Sequence, residues 1–172
     1  AVHYCPNDEG CPPQIVGKIQ HFISRKAMNI DGLGDETIDI FYRNGYIEHI
    51  SDLYTLYEKT DELKSLERFG ERSVSNMLEG IEKSKQMPFE KVLFGLGIRY
   101  VGETVARKLA AHFKNIDSLT NASFEELISA EEIGDRIAES LLEYFKDQRH
   151  IQQIEQLRLH GLQFETVETE II

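Results

Sequence analysis

The sequence predicts an all-α chain built from four copies of a helix, tight hairpin, helix unit. Three observations carry that prediction. Apolar residues recur at helical spacing through almost the whole chain, only four prolines interrupt it, and short glycine-bearing turns return at a near-constant interval. The turns read Asp31-Gly32-Leu33-Gly34-Asp35, Arg68-Phe69-Gly70-Glu71, Tyr100-Val101-Gly102-Glu103 and Glu132-Ile133-Gly134-Asp135. Each sets an apolar residue, then glycine, then an acid ahead of an apolar-periodic helix. Gly34, Gly70, Gly102 and Gly134 lie 36, 32 and 32 residues apart. A repeat of that length is a supersecondary unit that cannot bury its own apolar face and must pack on its neighbours.

The elements follow in order. Pro12-Pro13 opens a first helix, since proline suits a first turn whose N–H has no partner, and Ile15, Ile19, Phe22 and Ile23 line one face. A second begins around residue 35, carries Ile38, Phe41 and Tyr42, and ends at Asn44-Gly45, a left-handed C-cap pair. Ser51 is placed to cap a short helix through Leu53, Tyr54 and Leu56, and Thr60 another through Leu63 and Leu66. From Glu71 to Gln86 the period is kept by Val74, Met77, Leu78 and Ile81; Pro88 then opens a helix with Val92, Leu93 and Leu96. Further helices are expected over Val105–Phe113, Ser123–Ser129, Ile137–Phe145 and Ile151–Leu159. The one strand-like piece is Leu162–Val167.

Composition narrows the function classes. With 41% apolar and 28% charged residues in 172, the chain can form a core as one domain or two small ones and is not a disordered tail. No run approaches the roughly 18 apolar residues of a membrane span, and the start AVHYCPNDEGCPP has no signal-peptide core. Two cysteines are too few for a disulfide scaffold, which points to a reducing, intracellular setting. A net charge of −11 excludes electrostatic binding of nucleic acid or anionic lipid over the whole surface, but not a local site made from backbone amides.

The repeated turns can supply such a site. Glycine permits positive φ and close approach of the backbone to another molecule. Just ahead of a helix, the first N–H groups have no partner and the macrodipole is positive, so the position suits a phosphate oxygen. Val101 and Ile133 are expected in the core as anchors of their hairpins. A β-branched residue at Gly102 is expected to fail twice over, being unable to take a left-handed backbone and covering the amides. The bland alternative is a connecting turn that merely needs glycine, and four copies at near-constant spacing weigh against it. Charge ranks the copies. Residues 97–114 carry Arg99, Arg107, Lys108 and Lys114 against Glu103, a net of +3, whereas residues 115–147 sum to −7. Lys18, Arg25 and Lys26 form a smaller basic group. Phosphate contact is therefore expected from the third hairpin and the N-terminal region, with the fourth hairpin structural.

Cys5 and Cys11, in Cys-Pro-Asn-Asp-Glu-Gly-Cys-Pro, read alone as half of a tetrahedral zinc site, a free thiol pair or an opportunistic disulfide. In company with the run from His21-Phe22-Ile23-Ser24-Arg25-Lys26 to Leu33-Gly34, they closely resemble the C-terminal half of bacterial NAD-dependent DNA ligase. Phe94-Gly95-Leu96-Gly97-Ile98-Arg99-Tyr100-Val101-Gly102-Glu103 is also similar to that family. The resemblance covers nearly the whole chain. It implies a fold in which the remnant of a four-cysteine zinc finger precedes a tandem helix-hairpin-helix domain of four hairpins in two pairs. The expected division is 1–24 for the finger remnant and connecting helix, 25–86 for the first pair, 87–160 for the second, and 161–172 for an acidic C-terminal tail. Cys5 and Cys11 match the third and fourth zinc ligands, with the first two expected before residue 1.

The resemblance further implies a parent enzyme that seals nicks in replication and repair, taking AMP from NAD onto a lysine, passing it to the 5′-phosphate and joining the ends with Mg²⁺. The nearest match to that lysine motif is Asn29-Ile30-Asp31-Gly32, with asparagine in the nucleophile's place, so this chain alone is expected to be inactive. NAD and Mg²⁺ would be bound outside it, by upstream adenylation and OB-fold domains that are its expected protein partners. The hairpins would hold nicked double-stranded DNA through its backbone, without base readout, at Gly32, Gly34, Gly70, Gly102 and Gly134. Three copies depart from glycine-apolar-glycine, with Arg68, Tyr100 and Glu132 in place of the first glycine; Arg68 or Arg99 can supply a side-chain phosphate contact instead. A cytoplasmic, nucleoid-associated location in a bacterium is implied, with no membrane partner. The alternative function is a protein-interaction module that docks other ligase domains or a repair partner, which the −11 charge favours.

Overall fold

A computed structural model describes residues 12–66 and 69–166. Over these residues the protein is all-helical. The elements are α1 (Pro12–Ile23), α2 (Asp35–Arg43), a 3₁₀ helix (Ile50–Lys59), α3 (Thr60–Ser65), α4 (Glu71–Ser84), α5 (Phe89–Gly95), α6 (Glu103–Phe113), α7 (Ile116–Thr120), α8 (Phe124–Ile128), α9 (Asp135–Lys146) and α10 (Gln148–Leu159). Helices pair across short turns, α1 on α2, α3 on α4, α5 on α6 and α8 on α9, and α1 also packs against α5. The 3₁₀ helix touches α1, α3, α4 and α10 and so ties the early helices to the last one. No helix among the described residues is long and apolar enough to cross a membrane.

The apolar faces meet in one continuous core that includes Phe22, Phe41, Phe89, Met28 and Leu93. Val101 and Ile133 are buried in it, as expected of hairpin anchors, and so is Leu33. Ser84 is the polar residue buried there among the described residues. Its hydroxyl donates to the Ile81 carbonyl at 2.6 Å and pairs with the Tyr54 hydroxyl at 2.8 Å, which answers both polar groups in the core. Burial pushes the Tyr54 hydroxyl above its ordinary pKa.

Several sequence expectations need correction. Ser51 does not start a helix: the turn begins at Ile50, and the Asp52 carboxylate accepts from the Glu48 and His49 amides at 2.8 and 2.9 Å. Thr60 is the first residue of α3 and not its cap; its hydroxyl donates back to the Tyr57 carbonyl at 2.6 Å. α7 is an addition to the expected helices, its two apolar positions Ile116 and Leu119 making only one helical step; the Asn115 side chain caps it, accepting from Ser118 N at 2.8 Å. The strand-like segment forms a single antiparallel bridge, Asn115 with Glu165, among the described residues. Ile116 N donates to Phe164 O at 2.9 Å, Thr166 N to Lys114 O at 2.6 Å and Thr166 Oγ1 to Ala110 O at 2.9 Å. These last two bonds answer carbonyls at the C-terminal end of α6, so the segment works as a helix cap in place of a sheet. Leu162 and Phe164 are buried beneath it.

Candidate nucleic-acid interface

The repeat glycines share one geometry. Gly34, Gly70, Gly102 and Gly134 are the N-caps of α2, α4, α6 and α9, with φ of −111°, −100°, −83° and −89° and extended ψ. Each glycine carbonyl accepts the first intrahelical bond, from Ile38, Val74, Ala106 and Ala138 respectively. The amides of the first turn are left facing outward with no capping side chain, and a Cβ added at any of the four would meet nothing within 4 Å. The expectation that these glycines exploit positive φ is therefore corrected: an N-cap takes the extended region that any residue adopts. What glycine contributes here is an uncovered helix start.

Positive φ lies two residues earlier, at Gly32 (87°), Tyr100 (68°) and Glu132 (66°). That residue is the third of a β-turn, closed in the later copies by Val101 N donating to Ile98 O at 3.0 Å and Ile133 N to Ala130 O at 3.2 Å. The equivalent turn of the second copy is closed by Phe69 N to Leu66 O at 3.1 Å; Arg68 itself lies outside the described residues.

Three other helices start differently. α7, α8 and α10 are capped by Asn115, Ser123 and Asp147, whose side chains accept from Ser118 N, Glu126 N and Arg149 N. Those side chains occupy amides that an anion would need. The Arg149 guanidinium bonded to Asp147 holds its carboxyl down at about 2, and the Arg149 backbone amide adds to the effect. Glycine starts are thus confined to the second helix of each hairpin, while α3 and α5 begin at Lys59 and Pro88 without a side-chain cap.

The first and third turns are also gripped from behind. Gly32 approaches the α4 backbone so closely that a Cβ would lie 3.1 Å from Met77 Cα, and a Cβ on Gly80 would run into the Asp31 carbonyl oxygen. In the later pair, the Ser140 hydroxyl of α9 donates to the Arg99 carbonyl at 2.6 Å. Asp31 and Arg99 both stand three residues before their N-cap glycine, so the same carbonyl is used twice to seat one hairpin on the second helix of the next.

The basic residues separate into engaged and free. Lys108 pairs with Glu131 at 3.3 Å and Lys91 with Glu103 at 3.2 Å, which offsets acids beside the third and fourth turns. Arg107 lines a cleft of about 460 Å³ with Phe89, Glu90, Ala111 and Glu165, so it shares that space with two carboxylates. Arg99 stands at the tip of the third turn, and its guanidinium carbon lies 5.0 Å from the Tyr100 ring centroid. Arg136, from the first turn of α9, comes within 5.6 Å of the same ring. Charge alone ranks the fourth hairpin as the structural one, because Arg136 is outweighed in a window of net −7. A usable signal existed: arginine stands two residues after the cap glycine in both the second and fourth copies, as Arg72 and Arg136.

No group of three or more His, Cys, Asp or Glu able to hold a metal exists among the described residues, and Cys5 and Cys11 lie outside them.

The comparisons agree with this architecture. A family profile described as "Helix-hairpin-helix motif" matches residues 91–154, the stretch that contains the third and fourth turns. The chain is 57% identical over 172 residues to a DNA ligase of Cytophaga hutchinsonii, covering 100% of this chain and 25% of that protein. It is 55% identical over 168 residues to a DNA ligase of Flavobacterium johnsoniae, covering 98% and 25%. A DNA ligase of Phocaeicola vulgatus is 56% identical over 168 residues, covering 98% and 25%. The chain spans about a quarter of the length of the curated relatives it matches.

Proposed function

We propose that this chain, similar over its whole length to a quarter-length segment of DNA ligases, is the non-catalytic part that holds duplex DNA for a NAD-dependent, nick-sealing ligase. The observation that carries the reading is the set of four glycine-capped helix starts: the second helix of every hairpin begins on a glycine with no capping side chain and no atom in the space a Cβ would take. The hairpins work as two helix-hairpin-helix pairs. At each turn the exposed N–H groups donate to a phosphate oxygen, with Gly34, Gly70, Gly102 and Gly134 leaving room for it. Arg99 and Arg136 add charge at the third and fourth turns, and Arg68 adds it at the second. Contacts of this kind reach phosphate and sugar without reading base edges, so binding is independent of sequence. Gly32 serves the same grip indirectly, by letting α4 seat the first turn.

Cys5 and Cys11 would supply two of the four thiolates of the finger that the resemblance implies. The nucleotide-transfer chemistry and the NAD and Mg²⁺ it uses belong to other parts of such a ligase, because Asn29 stands where the nucleophilic amine is needed. A second reading, docking of the ligase's other domains without DNA affinity, is favoured by the −11 charge and by the acids in the first turn of each hairpin helix.

Fluorescence anisotropy of a labelled nicked duplex, titrated with the chain at low and moderate salt, separates the two. Binding through Z phosphates falls with salt at a log–log slope near −0.9Z. Gly102→Val should melt close to the wild type, because its site is open and extended, yet bind more weakly, because the isopropyl group stands over the α6 amides. Absence of binding at low salt would overturn the DNA-holding reading in favour of docking.

A further inference from the structure

We infer that Tyr100 is a positioning residue that joins two hairpins into one two-cation grip on the phosphodiester backbone; the inference rests on the duplex-holding function proposed above. The backbone gives the first reason. Tyr100 holds φ at +68°, a conformation that glycine takes freely and an L side chain takes at a penalty. The first turn has Gly32 at this place. A tyrosine in a glycine's position must return something through its ring.

The ring is 45% exposed and does not serve the core. Its recorded ring contacts are two guanidinium groups from different hairpins, Arg99 at 5.0 Å and Arg136 at 5.6 Å. Two like charges would otherwise repel one another. The negative face of an aromatic ring draws both in without neutralising either, as a carboxylate would. Neither arginine has a carboxylate within ion-pairing distance among the described residues, although Glu131, Glu132 and Asp135 are near Arg136 in the chain. Glu131 is engaged by Lys108. The bond from Ser140 Oγ to the Arg99 carbonyl fixes the third turn on α9, the helix that carries Arg136, so the two cations keep their spacing. A planar, always-charged guanidinium presents donors suited to phosphate oxygens. The first pair has no such device, since Asp31 and Gly32 stand where Arg99 and Tyr100 do.

The test uses the 172-residue chain and a labelled nicked duplex, comparing wild type, Tyr100→Gly, Tyr100→Phe, Arg136→Gln and the double variant Tyr100→Gly/Arg136→Gln. Tyr100→Gly should melt at or above the wild-type temperature but bind about fivefold more weakly. Tyr100→Phe, which keeps the ring, should bind within about twofold of wild type. Arg136→Gln should weaken binding and reduce the salt slope by about 0.9, with little further loss in the Tyr100→Gly background. Tyr100→Gly binding as tightly as a wild type that itself binds would overturn the inference alone, as would Tyr100→Phe failing like Tyr100→Gly. A wild-type chain that does not bind at low salt would overturn the duplex-holding reading and this inference with it.

Discussion

Replacing Gly80 by alanine isolates the contact that seats the first hairpin. Gly80 lies inside α4, where alanine is the better helix former by about 1 kcal/mol. Propensity alone therefore predicts a more stable protein. The structure predicts the reverse. The new Cβ would stand inside 3.0 Å of the Asp31 carbonyl oxygen and 3.4 Å from the Asp31 carbonyl carbon. Both are backbone atoms that cannot swing aside, so α4 must move off the turn and disturb Met77, which rests on Gly32. Forcing one extra methyl group into a filled contact costs about 1–3 kcal/mol, and the gain in propensity offsets part of it. The net loss centres on about 1 kcal/mol, or a melting temperature lower by about 2–4 °C for a chain of this size. Gly17→Ala in α1 is the control, because its Cβ meets nothing within 4 Å and only the propensity gain remains. Thermal melting followed by circular dichroism should move in opposite directions for the two variants. If both variants melt above the wild type, α4 does not press on the Asp31-Gly32 turn, and the account of how that hairpin is held is refuted.

Other expectations can be checked alongside. Val101→Ala and Ile133→Ala each remove buried apolar volume at a hairpin anchor and should lower stability by about 1–3 kcal/mol; an unchanged urea midpoint for both would show that the turns are not anchored this way. Glu132→Gly relieves a left-handed backbone at an exposed site and should raise stability by about 1 kcal/mol, which the same denaturation series reads. The Asp147 carboxyl titrates near 2 in the folded chain against an ordinary 3.8, so its capping of α10 is complete above about pH 4 and is lost as pH falls toward 2. A carboxyl-carbon NMR titration should place its midpoint near 2, and Arg149→Ala should return it toward the ordinary range.

The helical repeat was legible because each unit carries its own signals. Long faces such as Val74, Met77 and Ile81 keep the period, and the turn residues recur in register. Two features of the short elements were not. α7 has five residues and shows itself only through the Asn115 cap, and the 3₁₀ helix was set by the reach of Asp52 back to His49, which hydrophobic spacing does not encode. The site was half legible. Glycine at each helix start does mark an uncovered helix start, but for another reason than positive φ, because strain and openness fall on different residues of the turn. Openness belongs to Gly102, and strain to Tyr100. The neighbourhood of Arg136 and Tyr100 was not legible, because local charge averaging passes over single residues and the two are near only in the folded protein.

The open helix starts also say what a binding surface demands of the rest of the fold. Substituting glycine for a side-chain N-cap weakens a helix by only a few tenths of a kcal/mol, so leaving four starts uncovered costs about 1 kcal/mol in all. That is small beside the 5–15 kcal/mol or so that separates a typical folded domain from its unfolded ensemble. Keeping four amide clusters unoccupied therefore needs no compensating rigidity elsewhere. Mutating any one of these glycines to serine would firm the helix slightly while filling the place meant for a visitor. On the function proposed above, stability and reception are adjusted at the same atom, and glycine sets the balance toward reception.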